Sequence, residues 1–129
     1  MLKTLIYIAL GGGIGSVARY LTALLAAATL GPRLPWGTLA VNIIGGFVMG
    51  LITGALEGRT HDPDFRLFLT TGVLGGFTTF SAFSLDAVRL MQNEGFAIAG
   101  AYIVASLALS IAGVMLGLVA ARFLFMSAS

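Results

Sequence analysis

Residues 72–84 read GVLGGFTTFSAFS. The stretch holds two adjacent glycines, four hydroxyl side chains and three phenylalanines spaced three apart, inside a run otherwise apolar enough to cross a membrane. Gly75-Gly76 followed by Thr78-Thr79 is a poor continuous helix, because glycine and β-branched threonine both disfavour helical backbone. A helix broken near Gly75–Thr79 is therefore expected. Unwound backbone at membrane depth survives only where protein or water covers it. Such a break frees carbonyls that suit a cation, and it creates a new helix N-terminus that suits an anion. Beyond it, Phe77, Phe80 and Phe83 recur at i, i+3, i+6, roughly one helical face. A packing stripe is the ordinary account of such a triplet. Here the rings alternate with Thr79, Ser81 and Ser84. Ring edges are the positive end of the aromatic quadrupole, so edges with hydroxyl donors suit a small dehydrated anion.

The rest of the chain supplies the membrane. Of 129 residues, 58% are hydrophobic and only 9% charged, against about 25% charged in a soluble domain. Mean hydropathy is +1.02. A soluble protein of this size has too little interior to hide that apolar surface, so lipid is its solvent. Cysteine is absent, which excludes disulfides, thiolate chemistry and cysteine metal sites, and His61 is the one histidine. A net charge of +2 with scattered basic residues gives nucleic-acid binding no support.

Four stretches reach the roughly 20 residues a bilayer needs: about 4–30, 36–56, 66–91 and 96–125. The first ends in Ala26-Ala27-Ala28, loosely like a signal peptide, but its apolar run is too long and Arg19 interrupts it, so it is read as a retained helix. GPRLP (31–35) and QNEG (92–95) are tight connections. EGRTHDPDF (57–65) holds most of the polar residues, with Asp62 as helix cap, Pro63 at the first helical position and Asp64 in the first turn. The whole chain, 1–129, reads as one all-α transmembrane domain of four helices. With an even number of spans, Lys3, Arg59, Arg66 and Arg122 fall on one side and Arg33 and Arg89 on the other. That is a weak positive-inside bias, compatible with insertion in both orientations.

Small residues recur at packing spacing: Gly11 and Gly15; Gly46, Gly50 and Gly54; Gly113 and Gly117. Packing within the subunit accounts for part of them. Four helices are few for enclosing a pore, so a homo-oligomer, most simply a dimer, is expected. GGGIGS (11–16) resembles a phosphate-binding loop, but no strand precedes it, and close helix packing explains it better. Polar groups at membrane depth are the functional candidates. Arg19 shares a face with Gly11 and Gly15; it is either a snorkelling arginine or a fixed positive charge that draws anions. Thr38 and Asn42 lie one turn apart in the second helix, as interhelical glue or as a polar track. Ser106 and Ser110 lie one turn apart in the fourth, where serine commonly bonds back to its own backbone.

Together GGGIGSVARY (11–20), WGTLAVNIIGG (36–46) and TTGVLGGFTTFSAFS (70–84) resemble the fluoride channel family (Fluc, also called CrcB). The likeness covers nearly the full chain, and the third motif is the most specific. It implies a multi-pass protein of the bacterial inner membrane that lets fluoride leave the cell passively. It implies an antiparallel, dual-topology homodimer with two separate pores and a structural Na+ ion on the dimer axis. By motif position Asn42 matches the pore asparagine, and Phe80 and Phe83 match the phenylalanines whose ring edges line the pore. Gly75 and Thr78 match the residues whose carbonyls hold sodium, Arg19 the arginine of the first helix, and Ser110 a hydroxyl residue beside the pore. Asn42, Phe80, Phe83 and Ser110, with Thr38, Thr79, Ser81 and Ser84, form the expected fluoride path. Ala82 stands where the family often has threonine, and Val114 at a position that is often hydroxylated, which thins the polar track.

Two rival readings stay open. A small multidrug exporter has similar size, span number and topology. It needs a membrane carboxylate, ordinarily in the first helix, where this chain has Arg19 and no acid before Glu57; Asp86 is the acid that reading would require. A purely structural membrane protein would tolerate alanine at Asn42 and Phe80. An enzyme has no pair of titratable groups placed for acid–base or nucleophilic work.

Overall fold

The computed structural model describes residues 1–59 and 61–126, the latter without the Met126 side chain. Helix α1 (Leu2–Leu30) runs to Gly31, whose φ of +86° ends it in a conformation that favours glycine. Helix α2 (Trp36–Leu56) follows Pro35. The third span, Pro63–Asn93, is composite. A short α3 (Pro63–Leu67) leads into wider π-type turns over Phe68–Leu74, then a last turn α4 (Gly75–Phe77). Two extended residues interrupt it before α5 (Phe80–Asn93). Helix α6 (Phe96–Ala121) starts after Gly95 and continues as π-type turns over Arg122–Met126. Among the described residues all regular structure is helical, and four segments are long and apolar enough to cross a membrane. The 21 residues of α2 span about 30 Å at ~1.5 Å per residue, the thickness of a bilayer core.

The Asp62 carboxylate accepts the Asp64 amide at 3.0 Å, with Pro63 at the first position, so the expected cap forms. The helix it starts begins at Pro63 rather than near 66. Asp64 also accepts from Thr4 at 2.6 Å and pairs with Lys3 at 3.2 Å, tying this end to α1. At the opposite end Arg33 and Glu94 form a bidentate pair, with Arg33 Nη2 2.7 Å from Glu94 Oε2. Its hydrogen bonds hold the Glu94 carboxyl below the usual range and push the Arg33 guanidinium up.

Helix α2 packs most extensively on α6, and α1 on the first half of the third span. The glycine stripes make both seams. A Cβ on Gly46 would lie 2.8 Å from the Ser110 carbonyl oxygen, and one on Gly113 3.0 Å from that of Ile43. Gly50, Gly54 and Gly117 face α6 or α2 in the same way, while Gly11 and Gly15 face Phe68–Phe77. All these stripes are therefore used inside one subunit, and they give no support to a contact between subunits.

The break differs in detail from the sequence reading. Gly75 and Gly76 are helical. Gly76 lies against Gly12, where a Cβ would come 2.5 Å from the Gly12 carbonyl oxygen, so that glycine serves close packing. The unwound residues are Thr78 (φ −80°, ψ 159°) and Thr79 (φ −156°, ψ 123°). The break also divides the phenylalanines: Phe77 precedes it beside Gly45, and only Phe80 and Phe83 share a helix.

Candidate functional site

Two extended residues at membrane depth leave amides and carbonyls without helical partners, and one side chain takes up both sides of the gap. Asn42 Nδ2 donates to the Thr79 carbonyl at 2.9 Å, and the Thr79 amide donates to Asn42 Oδ1 at 2.8 Å. The asparagine thus acts as a surrogate peptide group across the break. One Nδ2 proton bonds Thr79, and a primary amide carries a second. Thr79 is buried and caps α5: its Oγ1 accepts the Ala82 amide at 3.1 Å and lies 3.4 Å from Ser81 Oγ. Thr78 turns back, with both its amide and its hydroxyl on the Leu74 carbonyl at 2.9 Å.

These bonds draw two amides away from the carbonyls they would meet in a helix. In an unbroken helix the Thr79 amide would point at the Gly75 carbonyl, and the Ala82 amide at that of Thr78. Here Asn42 and the Thr79 hydroxyl take those amides. Gly75 and Thr78 are the positions that the resemblance assigns to sodium, and carbonyl dipoles are the donors a hard cation uses. The local chemistry fits such an ion.

Beside the break lies a cleft of about 360 Å³. Asn42, Thr78, Thr79, Phe80, Phe83, Ser106 and Ser110 supply its functional wall, and no lining side chain is ionisable. Phe83 is buried, whereas Phe80 is 74% exposed. The ring centroids of Phe80 and Phe83 are 5.5 Å apart, as are those of Phe83 and Tyr102. On α6 the oxygens of Tyr102, Ser106 and Ser110 are buried and none meets a well-formed hydrogen-bond partner among the described residues, the Tyr102 hydroxyl lying near Ser106 and Thr38. They recur every four residues and so follow one helical face. The sequence favoured a back-bond for the serines. Thr22, Thr29, Thr70, Thr78 and Ser84 make that bond; Ser106 and Ser110 do not.

The cleft gathers Asn42, Thr78, Thr79, Phe80, Phe83 and Ser110 and adds Ser106, all in one subunit. It does not gather the remaining candidates. Ser81 is exposed beside it, and Ser84 donates to the Phe80 carbonyl at 2.9 Å. Thr38 donates to Asp86 Oδ2 at 2.7 Å and lines a separate vestibule of about 520 Å³ near the 31–35 turn. Arg19 is half-buried, with no hydrogen-bond or ion-pair partner among the described residues. Tyr102 went unnoticed in the sequence, although its spacing of four from Ser106 continues the serine track.

The sequence has counterparts among known proteins. The model of the family described as "CrcB-like protein, Camphor Resistance (CrcB)" matches residues 6–118. A protein named fluoride-specific ion channel FluC from Agrobacterium fabrum is 52% identical over 119 residues, covering 92% of this chain and 95% of the relative. Its namesake from Rhizobium etli is 50% identical over 91% of this chain and 94% of its own length, and that from Caulobacter vibrioides 44% over 96% and 99%. With identity near one half over almost the whole length and four segments able to span a membrane, the chain belongs to the CrcB family of multi-pass bacterial membrane proteins.

Proposed function

We propose that the protein is a fluoride-selective ion channel that releases fluoride passively from the cytoplasm across the bacterial inner membrane and so limits its toxicity. One observation carries the reading. The cleft combines phenyl rings and partnerless hydroxyls with the Asn42 amide and contains no fixed charge. Such a wall offers hydrogen-bond donors to a dehydrated anion, yet no ionic partner that would trap it. The relatives are named as ion channels, and the reading assigns no enzymatic step.

Hydrogen fluoride enters an acid-exposed cell as a neutral molecule and ionises inside, where its charge holds it. A channel lets the ion run out, driven by its gradient and by an inside-negative potential. The second Asn42 Nδ2 proton and the Ser106 and Ser110 hydroxyls replace hydration water. Phe80 and Phe83 present ring edges in the narrow part, with Thr79 fixing the turn between Asn42 and the rings. A sodium ion at the Gly75 and Thr78 carbonyls would supply positive charge near the path and brace the break.

The functional unit in this reading is an antiparallel homodimer with two pores. Phe80, Leu107 and Ile111 line the cleft yet are 74%, 48% and 61% exposed. In lipid the cleft, with half-buried Asn42 in its wall, would stay open on this side, so a second copy is the natural cover.

The test in cells uses a bacterium stripped of its own fluoride exporter. Expression of this chain is expected to restore growth on fluoride, and Asn42→Ala to abolish the rescue. Equal growth with Asn42→Ala at equal membrane levels would favour a structural protein instead. The exporter reading loses its carboxylate, because Asp86 lies in the vestibule bonded to Thr38 rather than in the cleft.

A further inference from the structure

The break in the third span parts two helices. Before it, the span packs on α1; beyond it, α5 packs on α6 and makes no contact with α1 among the described residues. The vestibule of about 520 Å³ occupies the gap, with Ala23 and Ala27 of α1 on one side, Asp86 and Arg89 of α5 on the other, and Trp36 at the start of α2. It shares no lining residue with the cleft. Ala23, Ala27 and Arg89 are exposed, so the gap is open between α1 and α5. Next to these residues in the chain, Leu24 on α1 and Val88 on α5 are exposed apolar side chains. Trp36 begins its span and Arg89 lies one turn from the end of α5, which sets the gap at headgroup depth.

The charges in its wall are unevenly matched. Arg33 and Glu94 neutralise each other. Asp86 accepts from Thr38 on Oδ2, which leaves Oδ1 without a recorded donor. Arg89 follows three residues later, and side chains three apart on a helix are neighbours, with Cβ atoms ~5–6 Å apart. Even so, neither Asp86 nor Arg89 forms an ion pair among the described residues. One anion and one cation, adjacent, unpaired and lining one cavity, have the charge pattern of a site for a zwitterion.

We propose that the vestibule binds the headgroup of a zwitterionic phospholipid with a primary ammonium, of the phosphatidylethanolamine class. The Arg89 guanidinium takes the phosphodiester, whose oxygens suit its fork of donors. The ammonium, one ethylene link away, donates to Asp86 Oδ1. The acyl chains leave between α1 and α5 and run along Leu24 and Val88, a flank that a free solute would not use. An anionic headgroup without an ammonium meets the repulsion of Asp86. A trimethylated headgroup has no proton to donate to it. Binding of this kind would fill the space between two helices that do not touch.

The chain carries a probe for this site, because its single tryptophan is Trp36. Purified protein in detergent is titrated with short-chain phosphatidylethanolamine, phosphatidylcholine and phosphatidylglycerol, and tryptophan emission is read. A saturable change is expected, at the lowest concentration for the ethanolamine lipid. Arg89→Gln is expected to raise the half-saturation for all three by on the order of tenfold, the scale of one charge-assisted hydrogen bond. Asp86→Asn should weaken the ethanolamine lipid alone and so abolish its preference over the glycerol lipid. Equal responses of the native protein to the three lipids, or folded Arg89→Gln with native half-saturation, would overturn the proposal. Free phosphoethanolamine acting at the same concentration as the lipid would make the ligand a small solute and overturn the lipid assignment. Emission that follows protein concentration and ignores lipid would mean that a second copy fills the gap, which also overturns it. If the variants do not fold, the ranking of the three lipids on the native protein decides.

Discussion

Asn42 does two jobs, and substitution can separate them. Its amide closes the backbone gap at Thr79 through two hydrogen bonds, and its remaining proton serves the cleft. Asn42→Ala leaves a buried amide and carbonyl without partners, so destabilisation of ~1–3 kcal/mol is expected in a detergent melting experiment, with fluoride flux lost. Asn42→Asp keeps the acceptor for the Thr79 amide, yet it removes the Nδ2 donors and adds an anion to the cleft. It is expected to retain more of the fold than alanine and equally little flux; a conducting Asn42→Asp channel would contradict the assigned role. The family resemblance, rather than residue type or spacing, put Asn42, Phe80 and Phe83 together. None of these showed which hydroxyls stay free. Ser84 satisfies itself on the Phe80 carbonyl whereas Ser106 and Ser110 do not, and that depends on what faces each rotamer across the helix seam.

At the scale of elements, the four spans were legible because length and hydropathy decide them, and the Asp62-Pro63-Asp64 cap carries its own local signature. The position of the break was only half legible. Glycine weakens a helix in water, but in lipid its missing side chain is worth more as a contact, and Gly76 is occupied by Gly12. The chain unwinds at the threonines because Asn42, 37 residues away in sequence, takes the Thr79 amide, and the Thr79 hydroxyl takes that of Ala82. The seams can be tested by overpacking. Gly50→Val, set against the Val114 carbonyl, is expected to cost about 1–3 kcal/mol in thermal unfolding, while Gly13→Ala, with no atom within 4 Å of its added methyl, should be silent. The end clamp carries a pH signature. Arg33 depresses the Glu94 carboxyl, so its contribution is complete above the ordinary glutamate range, near ~4.3, and is lost as pH falls through the depressed value. The melting temperatures of native protein and Glu94→Gln should therefore differ at neutral pH and converge in acid.

The whole molecule was the least legible. The glycine stripes invited a dimer argument, yet every one of them is consumed within the subunit. The case for a partner rests instead on a largely apolar cleft, with a few polar groups in its wall, open on the side of Phe80, Leu107 and Ile111, which no sequence pattern displays. The weak charge bias supports an antiparallel pair. Because the chain lacks cysteine, single variants Pro32→Cys and His61→Cys report orientation cleanly. Each is expected to react with a membrane-impermeant thiol reagent from both sides of the membrane in comparable amounts. Labelling confined to one side would exclude the antiparallel dimer.

Efflux from liposomes containing the purified protein, with fluoride and chloride electrodes read in parallel, tests the central claim most directly. The account predicts rapid release of fluoride with chloride retained. Well-folded protein that leaves both ions inside, or that releases them together, would contradict it.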